Sequence, residues 1–172
     1  GNIWTGNYGK GLTLIIPRTF SFYLFDNPFI GNNVFSICFD KQYKWIGTAN
    51  GLVKLDQVTG QIVEFYGKEN GLPNDTVTSI YAYDEKELWI GTGRNGLFRM
   101  ETEYGRIKKY SIKNGSLENS ITSITGKGEQ IWIGTKKGLF NYNYATGLVA
   151  EYSIQKGGLP HNFVNYLYID RT

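Results

Sequence analysis

The sequence predicts an all-β protein made of β-propeller blades, four-stranded antiparallel meanders of about 43 residues each, forming part of a larger propeller. Three observations predict it. The chain has four tryptophans, at positions 4, 45, 89 and 132, spaced 41, 44 and 43 residues apart. Three of them stand in one phrase, Trp45-Ile46-Gly47-Thr48, Trp89-Ile90-Gly91-Thr92 and Trp132-Ile133-Gly134-Thr135, and Ile3-Trp4-Thr5-Gly6 is a shifted copy. Short β-branched and aromatic runs alternate with glycine-bearing turns, and no window of about 11 residues carries a helical apolar stripe.

The elements follow in order. Residues 1–33 open on a second strand, Ile3 to Gly6, and Gly11-Leu12 begins a third. Residues 34–75 start with the apolar run Phe35 to Phe39, continue through Trp45 and Gly51-Leu52, place Ile62 and Phe65 on a fourth strand, and leave by Gly71-Leu72-Pro73-Asn74. Residues 76–119 are the clearest unit. Thr76–Tyr83 reads as a strand, Asp84–Glu87 as a polar turn, Leu88–Thr92 and Leu97–Glu101 as the next two strands, and Arg106–Ile112 as the fourth. Residues 120–162 repeat the pattern with Gly138-Leu139, Val149 and Tyr152, and 163–172 reads as the first strand of a further blade. Within the tryptophan strand both faces are apolar: Trp89 and Gly91 face one way, Leu88 and Ile90 the other. Such a strand must be covered on both sides, which stacked sheets achieve. The structural repeat core is therefore expected to comprise Trp4, Trp45, Trp89 and Trp132 with Gly47, Gly91 and Gly134. The first residues already lie inside a repeat, so the sequence reads as a piece of a longer chain.

Composition bounds the function. Aromatic residues make up 16% and charged residues 19%, which suits a packed β protein and excludes disorder. A net charge of +3 without a basic stripe argues against nucleic-acid contact. One cysteine, Cys38, excludes an internal disulfide and sits in an apolar run, where a buried, inert thiol is expected. One cysteine and one histidine give no metal site, so no metal and no cofactor are expected.

The phrase Asp-x-x-x-x-Trp-Ile-Gly-Thr-x-x-Gly-Leu, followed by Gly-Leu-Pro-Asn, resembles the two-component regulator propeller repeat. Asp40 and Asp84 begin it, and Trp45, Trp89 and Trp132 carry it with their Gly-Thr and Gly-Leu partners; Lys127 departs from it where an aspartate belongs. The resemblance implies the extracytoplasmic, periplasmic sensor region of membrane-bound hybrid two-component histidine kinases of the Bacteroidetes type. It further implies two seven-bladed propellers, an immunoglobulin-like domain, a membrane helix and cytoplasmic kinase and regulator modules, with oligosaccharides from polysaccharide utilisation as inputs. None of the kinase residues falls in this chain, so the chain itself is expected to have no catalytic residue.

A ligand is expected on the face formed by the second-to-third and fourth-to-first loops. The cations of those loops are Lys10, Lys68, Arg94, Lys113, Lys136, Lys137 and Lys156, and the anions Asp26, Glu69, Asp75 and Glu118; the excess equals the whole net charge of +3. That balance favours an acidic partner such as a uronic or sulfated sugar. The candidate contacts are Tyr8, Arg94, Asn95, Lys136, Lys137 and His161. Expected partners are an oligosaccharide or other small ligand, the remaining blades of the parent chain, and a second copy in a homodimer. A propeller that binds other proteins without sensing a small molecule is the alternative function. Gly91-Thr92-Gly93-Arg94-Asn95-Gly96 matches a dinucleotide fingerprint, but a strand and not a helix follows it, so nucleotide binding is discounted. The carboxylate pairs Glu85/Glu87 and Glu101/Glu103 border turns and face no cleft partner, which removes a glycosidase reading.

Overall fold

The computed structural model describes residues 3–7, 9–16, 19–25, 30–73, 76–111 and 120–170. Its sheets are antiparallel meanders in which every strand pairs with its neighbour in sequence. The first comprises β1 (Ile3–Asn7), β2 (Gly11–Ile16) and β3 (Thr19–Tyr23). The second comprises β4 (Val34–Phe39), β5 (Tyr43–Thr48), β6 (Leu52–Asp56) and β7 (Ile62–Tyr66). The third holds β8 (Val77–Ala82), β9 (Glu87–Thr92), β10 (Leu97–Glu101) and β11 (Arg106–Tyr110). The fourth holds β12 (Ile121–Lys127), β13 (Gln130–Thr135), β14 (Leu139–Asn143) and β15 (Val149–Tyr152). These are propeller blades. The Trp4 strand, expected as the second strand of a blade, lies at the edge of its three-stranded sheet and pairs with β2. A short 3-10 turn, Lys68–Asn70, lies between the second and third sheets, and the Leu72 side chain that follows it is fully buried.

The tryptophan strand has a forward and a backward face. Trp45 projects into a cluster with Leu88, Ile90, Phe98 and Met100 of the third sheet. Trp89 does the same against Ile131, Ile133, Phe140 and Tyr142 of the fourth. The intervening Ile46 turns back toward Leu12 and Phe25. Every residue of β9 is accordingly buried, covered by the sheet before and the sheet after. Burying an indole in this way contributes roughly 4–6 kcal/mol of gross hydrophobic stabilisation, as an upper bound.

The glycine two residues after tryptophan is fixed by the approach of the next sheet. A Cβ on Gly47 would lie 2.7 Å from a Val77 methyl, and one on Gly91 would lie 2.5 Å from an Ile121 methyl. The same relation joins Gly6 to Val34 and Gly134 to Val164. Residues 163–170 belong to no sheet. Val164 nonetheless lies against the fourth sheet, its N–H donating to the Thr135 carbonyl at 3.0 Å, where β4, β8 and β12 lie against theirs.

The four tryptophans differ in burial. Trp45 and Trp89 are inaccessible, whereas Trp4 and Trp132 are half-buried. Trp4 packs on Tyr23 and Phe39 at ring distances of 5.5 and 6.0 Å. Trp132 has Tyr152 of its own sheet as ring partner at 5.8 Å, without a following sheet over it among the described residues. Cys38 is half-buried, not buried, and packs against the edge of the Trp45 cluster; burial still pushes its thiol above the ordinary value.

Candidate ligand-binding surfaces

The inner strands β4, β8 and β12, with residues 166–168, line a groove of about 470 Å³. Its wall is rich in hydroxyls because β8 and β12 each carry an adjacent Thr-Ser pair, Thr78-Ser79 and Thr122-Ser123, flanked by aliphatic residues, and β4 adds Ser36. These hydroxyls tie one sheet to the next. Thr78 Oγ1 donates to the Ile121 carbonyl at 2.7 Å, and Thr122 Oγ1 donates to the Val164 carbonyl. Ser79 Oγ accepts the Ile124 N–H at 2.9 Å, and Ser123 Oγ accepts the Leu167 N–H at 3.1 Å. The groove is thus lined by hydroxyls already engaged in holding the fold, with exposed Phe35, Tyr166 and Tyr168 beside them.

The second-to-third loops owe their shape to the threonine of the repeated phrase. Thr92 Oγ1 donates to the Gly96 carbonyl at 2.9 Å and accepts the Asn95 N–H at 3.0 Å. Thr135 makes the equivalent bonds to Gly138 and Lys137, and Thr48 to Gly51 and Asn50. Gly96 adopts φ 85°, in the left-handed region. These turns present Arg94, Lys136 and Lys137 as exposed side chains at the same end of neighbouring sheets, with Asn95 half-buried beside Arg94. His161 is exposed on the segment after β15, and its Nδ1 accepts the Phe163 N–H at 3.0 Å, a local turn contact. Lys156 is drawn down to Glu151 by an ion pair. Tyr8, Asp26, Asp75, Lys113 and Glu118 lie outside the described residues.

At the opposite end of the sheets lies a polar cluster that none of the repeated motifs marks. Arg99, directly across from Trp89, pairs with Glu87 and donates to the Tyr144 hydroxyl at 2.6 Å, which in turn donates to Glu87 at 3.0 Å. Tyr144 stacks on Tyr83 with ring centroids 4.3 Å apart. Burial opposes the Arg99 charge, but Glu87 outweighs it and holds the guanidinium above its ordinary pKa. Burial, then Glu87, pushes the Tyr144 phenol up. Glu87 is therefore no turn carboxylate: it is buried, while Glu85 is exposed and paired with Lys41. The recoverable signal was an ionisable residue cross-strand from a buried tryptophan, at Lys54 as well as Arg99.

Comparison with known proteins bears on the whole arrangement. Residues 71–94, which span Gly71-Leu72-Pro73 and the Trp89 phrase, match the two component regulator propeller family. No curated protein matches the chain. The extracellular domain of a putative hybrid two component system from B. thetaiotaomicron is similar, with a TM-score of 0.73 at 26% identity over 88% of this chain and 22% of that one. The extracellular domain of a putative one component system from the same organism is similar with a TM-score of 0.72, 23% identity and coverage of 96% and 22%. A computationally designed protein, Ika8, shares the fold alone, with a TM-score of 0.69 and 14% identity over 98% of this chain and 50% of that one. The chain spans 22% of the length of the two natural relatives.

Proposed function

We propose that this run of two component regulator propeller blades is a non-catalytic, ligand-sensing segment of the periplasmic region of a membrane-bound hybrid two-component receptor. The observation that carries this reading is the coincidence of the family's repeat at 71–94 with a fold shared, over 88% of the chain, with the extracellular domain of a putative hybrid two component system. Its input is an oligosaccharide, and an acidic one. The loop face supports that choice, since its turns hold Arg94, Lys136 and Lys137 outward at one end of adjacent sheets while the sheets themselves are consumed by packing.

Calorimetric screening of neutral, uronic and sulfated oligosaccharides against the complete extracytoplasmic region tests this. An acidic oligosaccharide should bind, and reversing Arg94, Lys136 and Lys137 together to glutamate should weaken it by about ten-fold or more at low salt. Affinity untouched by that reversal removes the loop face from the reading. Binding of a protein partner with no response to any glycan overturns the sensing role.

A further inference from the structure

The blades can be compared position by position through their backbone bonds. The Tyr83 N–H donates to the Glu87 carbonyl at 3.0 Å, as the Asp40 N–H does to Tyr43 at 3.1 Å. Arg99 stands opposite Trp89, as Lys54 does opposite Trp45. The Tyr144 N–H donates to the Glu129 carbonyl at 2.7 Å, as the Thr102 N–H does to Lys86 at 2.9 Å. Tyr83, Glu87, Arg99 and Tyr144, which lock the third sheet to the fourth, thus correspond to Asp40, Tyr43, Lys54 and Thr102 between the second and third. Those four residues line a cleft of about 390 Å³, bordered by Lys41 and Glu85.

The cleft is the space that a tyrosine fills one blade later. Thr102 is short, and its hydroxyl turns back to donate to the Glu85 carbonyl at 2.7 Å. The cation at the floor is retained. Lys54 is 9% exposed, and its ammonium sits 3.9 Å from the Tyr43 ring centroid and 5.2 Å from that of Trp45. It enters no ion pair among the described residues. At the cleft the Lys54 ammonium lies against two aromatic rings, and an incoming anion would add a charge-assisted contact to it. Around it, Asp40, Gln42 and Glu103 supply acceptors where Tyr83 supplies an aromatic face in the next blade, so hydroxyl groups suit the walls.

We propose that this cleft binds a ring-bearing hydroxy acid, with its carboxylate on Lys54 and its ring in the volume that Tyr144 occupies at the next interface. The site lies at the end of the sheets away from Arg94, Lys136 and Lys137, so it stands independently of the loop face. Two probes separate a planar from a puckered ring: 4-hydroxybenzoate and glucuronate, with glucose as the uncharged control. Each is titrated into the 172-residue chain and followed by calorimetry and by the fluorescence of the tryptophans. At least one acid should bind and glucose should not. Thr102→Tyr, which rebuilds the plug, and Lys54→Met should each weaken binding by about ten-fold or more, while Lys109→Glu, at an exposed position of β11 outside the cleft, leaves it unchanged. Failure of both acids to bind overturns the proposal, as does binding that survives Lys54→Met. Should Thr102→Tyr fail to fold, the Lys54→Met result decides alone.

Discussion

Gly91 and Asp40 show how single residues of the repeat act. A methyl group on Gly91 would press into the Ile121 side chain at 2.5 and 2.9 Å, inside a joint already packed to the density of a protein core. Gly91→Ala should therefore lower stability by about 1–3 kcal/mol in urea denaturation, although alanine is the gentlest replacement for glycine. Asp40 accepts the Gln42 and Tyr43 N–H groups at 2.7 and 2.6 Å and the Trp45 indole N–H at 2.6 Å. Asp84 accepts the Lys86 N–H at 2.8 Å, and the Trp89 indole N–H has no hydrogen-bond partner among the described residues. Asp40→Ala should cost about 1–3 kcal/mol and Asp84→Ala no more than about 1 kcal/mol, compared in the same denaturation series; equal losses would mean that the indole bond adds nothing. Tryptophan and glycine were legible in the sequence because their roles recur at a fixed interval. The difference between the two aspartates was not, since it depends on hairpin geometry: Asp40 and Tyr43 bracket two intervening residues, whereas Tyr83 and Glu87 bracket three.

Between neighbouring sheets, side-chain hydroxyls and buried phenols set the strength of the joint. Thr78→Val keeps the shape of β8 but deletes the bond to the Ile121 carbonyl, and leaves that acceptor to the groove. The expected loss is about 1 kcal/mol, read from the shift in denaturation midpoint, with the unfolding slope unchanged. Phenols give a pH signature. Burial, followed by the bond to Glu64, raises Tyr66; burial, followed by the bond to Tyr142, raises Tyr110; burial and Glu87 raise Tyr144, each from an ordinary value of 10.0. Above that value the unfolded chain has released protons that the folded chain still holds, so stability is complete below about pH 10 and falls as pH rises through the higher folded values. Phenolate absorbance should accordingly show a late-ionising class that titrates together with unfolding, and Tyr66→Phe and Tyr110→Phe should reduce it. Short β-branched and aromatic runs set off by glycine-bearing turns made the strands readable, since a strand covered on both faces is apolar on both. The Glu87–Arg99–Tyr144 cluster stayed hidden because its members, from β9, β10 and the residue after β14, lie 12 to 57 residues apart, and the cluster is complete only when two sheets meet.

Across the molecule, cover is greatest in the middle and least at the ends of the row. The second and third sheets have neighbours on both faces. The first has its outward Ile3 59% exposed, and the fourth has Trp132 half-buried. Hydrogen exchange should therefore be slowest in β5, β8 and β9 and fastest in β1 to β3 and β15, measured by mass spectrometry on the 172-residue chain. Uniform protection along the chain would mean that the end sheets find cover from another copy, which a sedimentation series over concentration would detect. The architecture itself was legible because every joint reuses one motif. What departs from the motif was not legible, and the candidate cleft is such a departure, visible as a space where Thr102 stands in for Tyr144. The forward-facing indole and backward-facing aliphatics have a consequence for how such chains change over generations. Each seam is polar, with an unlike front and back, so a gene that copies or loses one whole stretch between successive tryptophans rejoins front to back and leaves every surviving seam as it was. Ring size in this architecture is thus open to change by recombination, whereas an insertion of one residue within a strand would turn its indole to the wrong side.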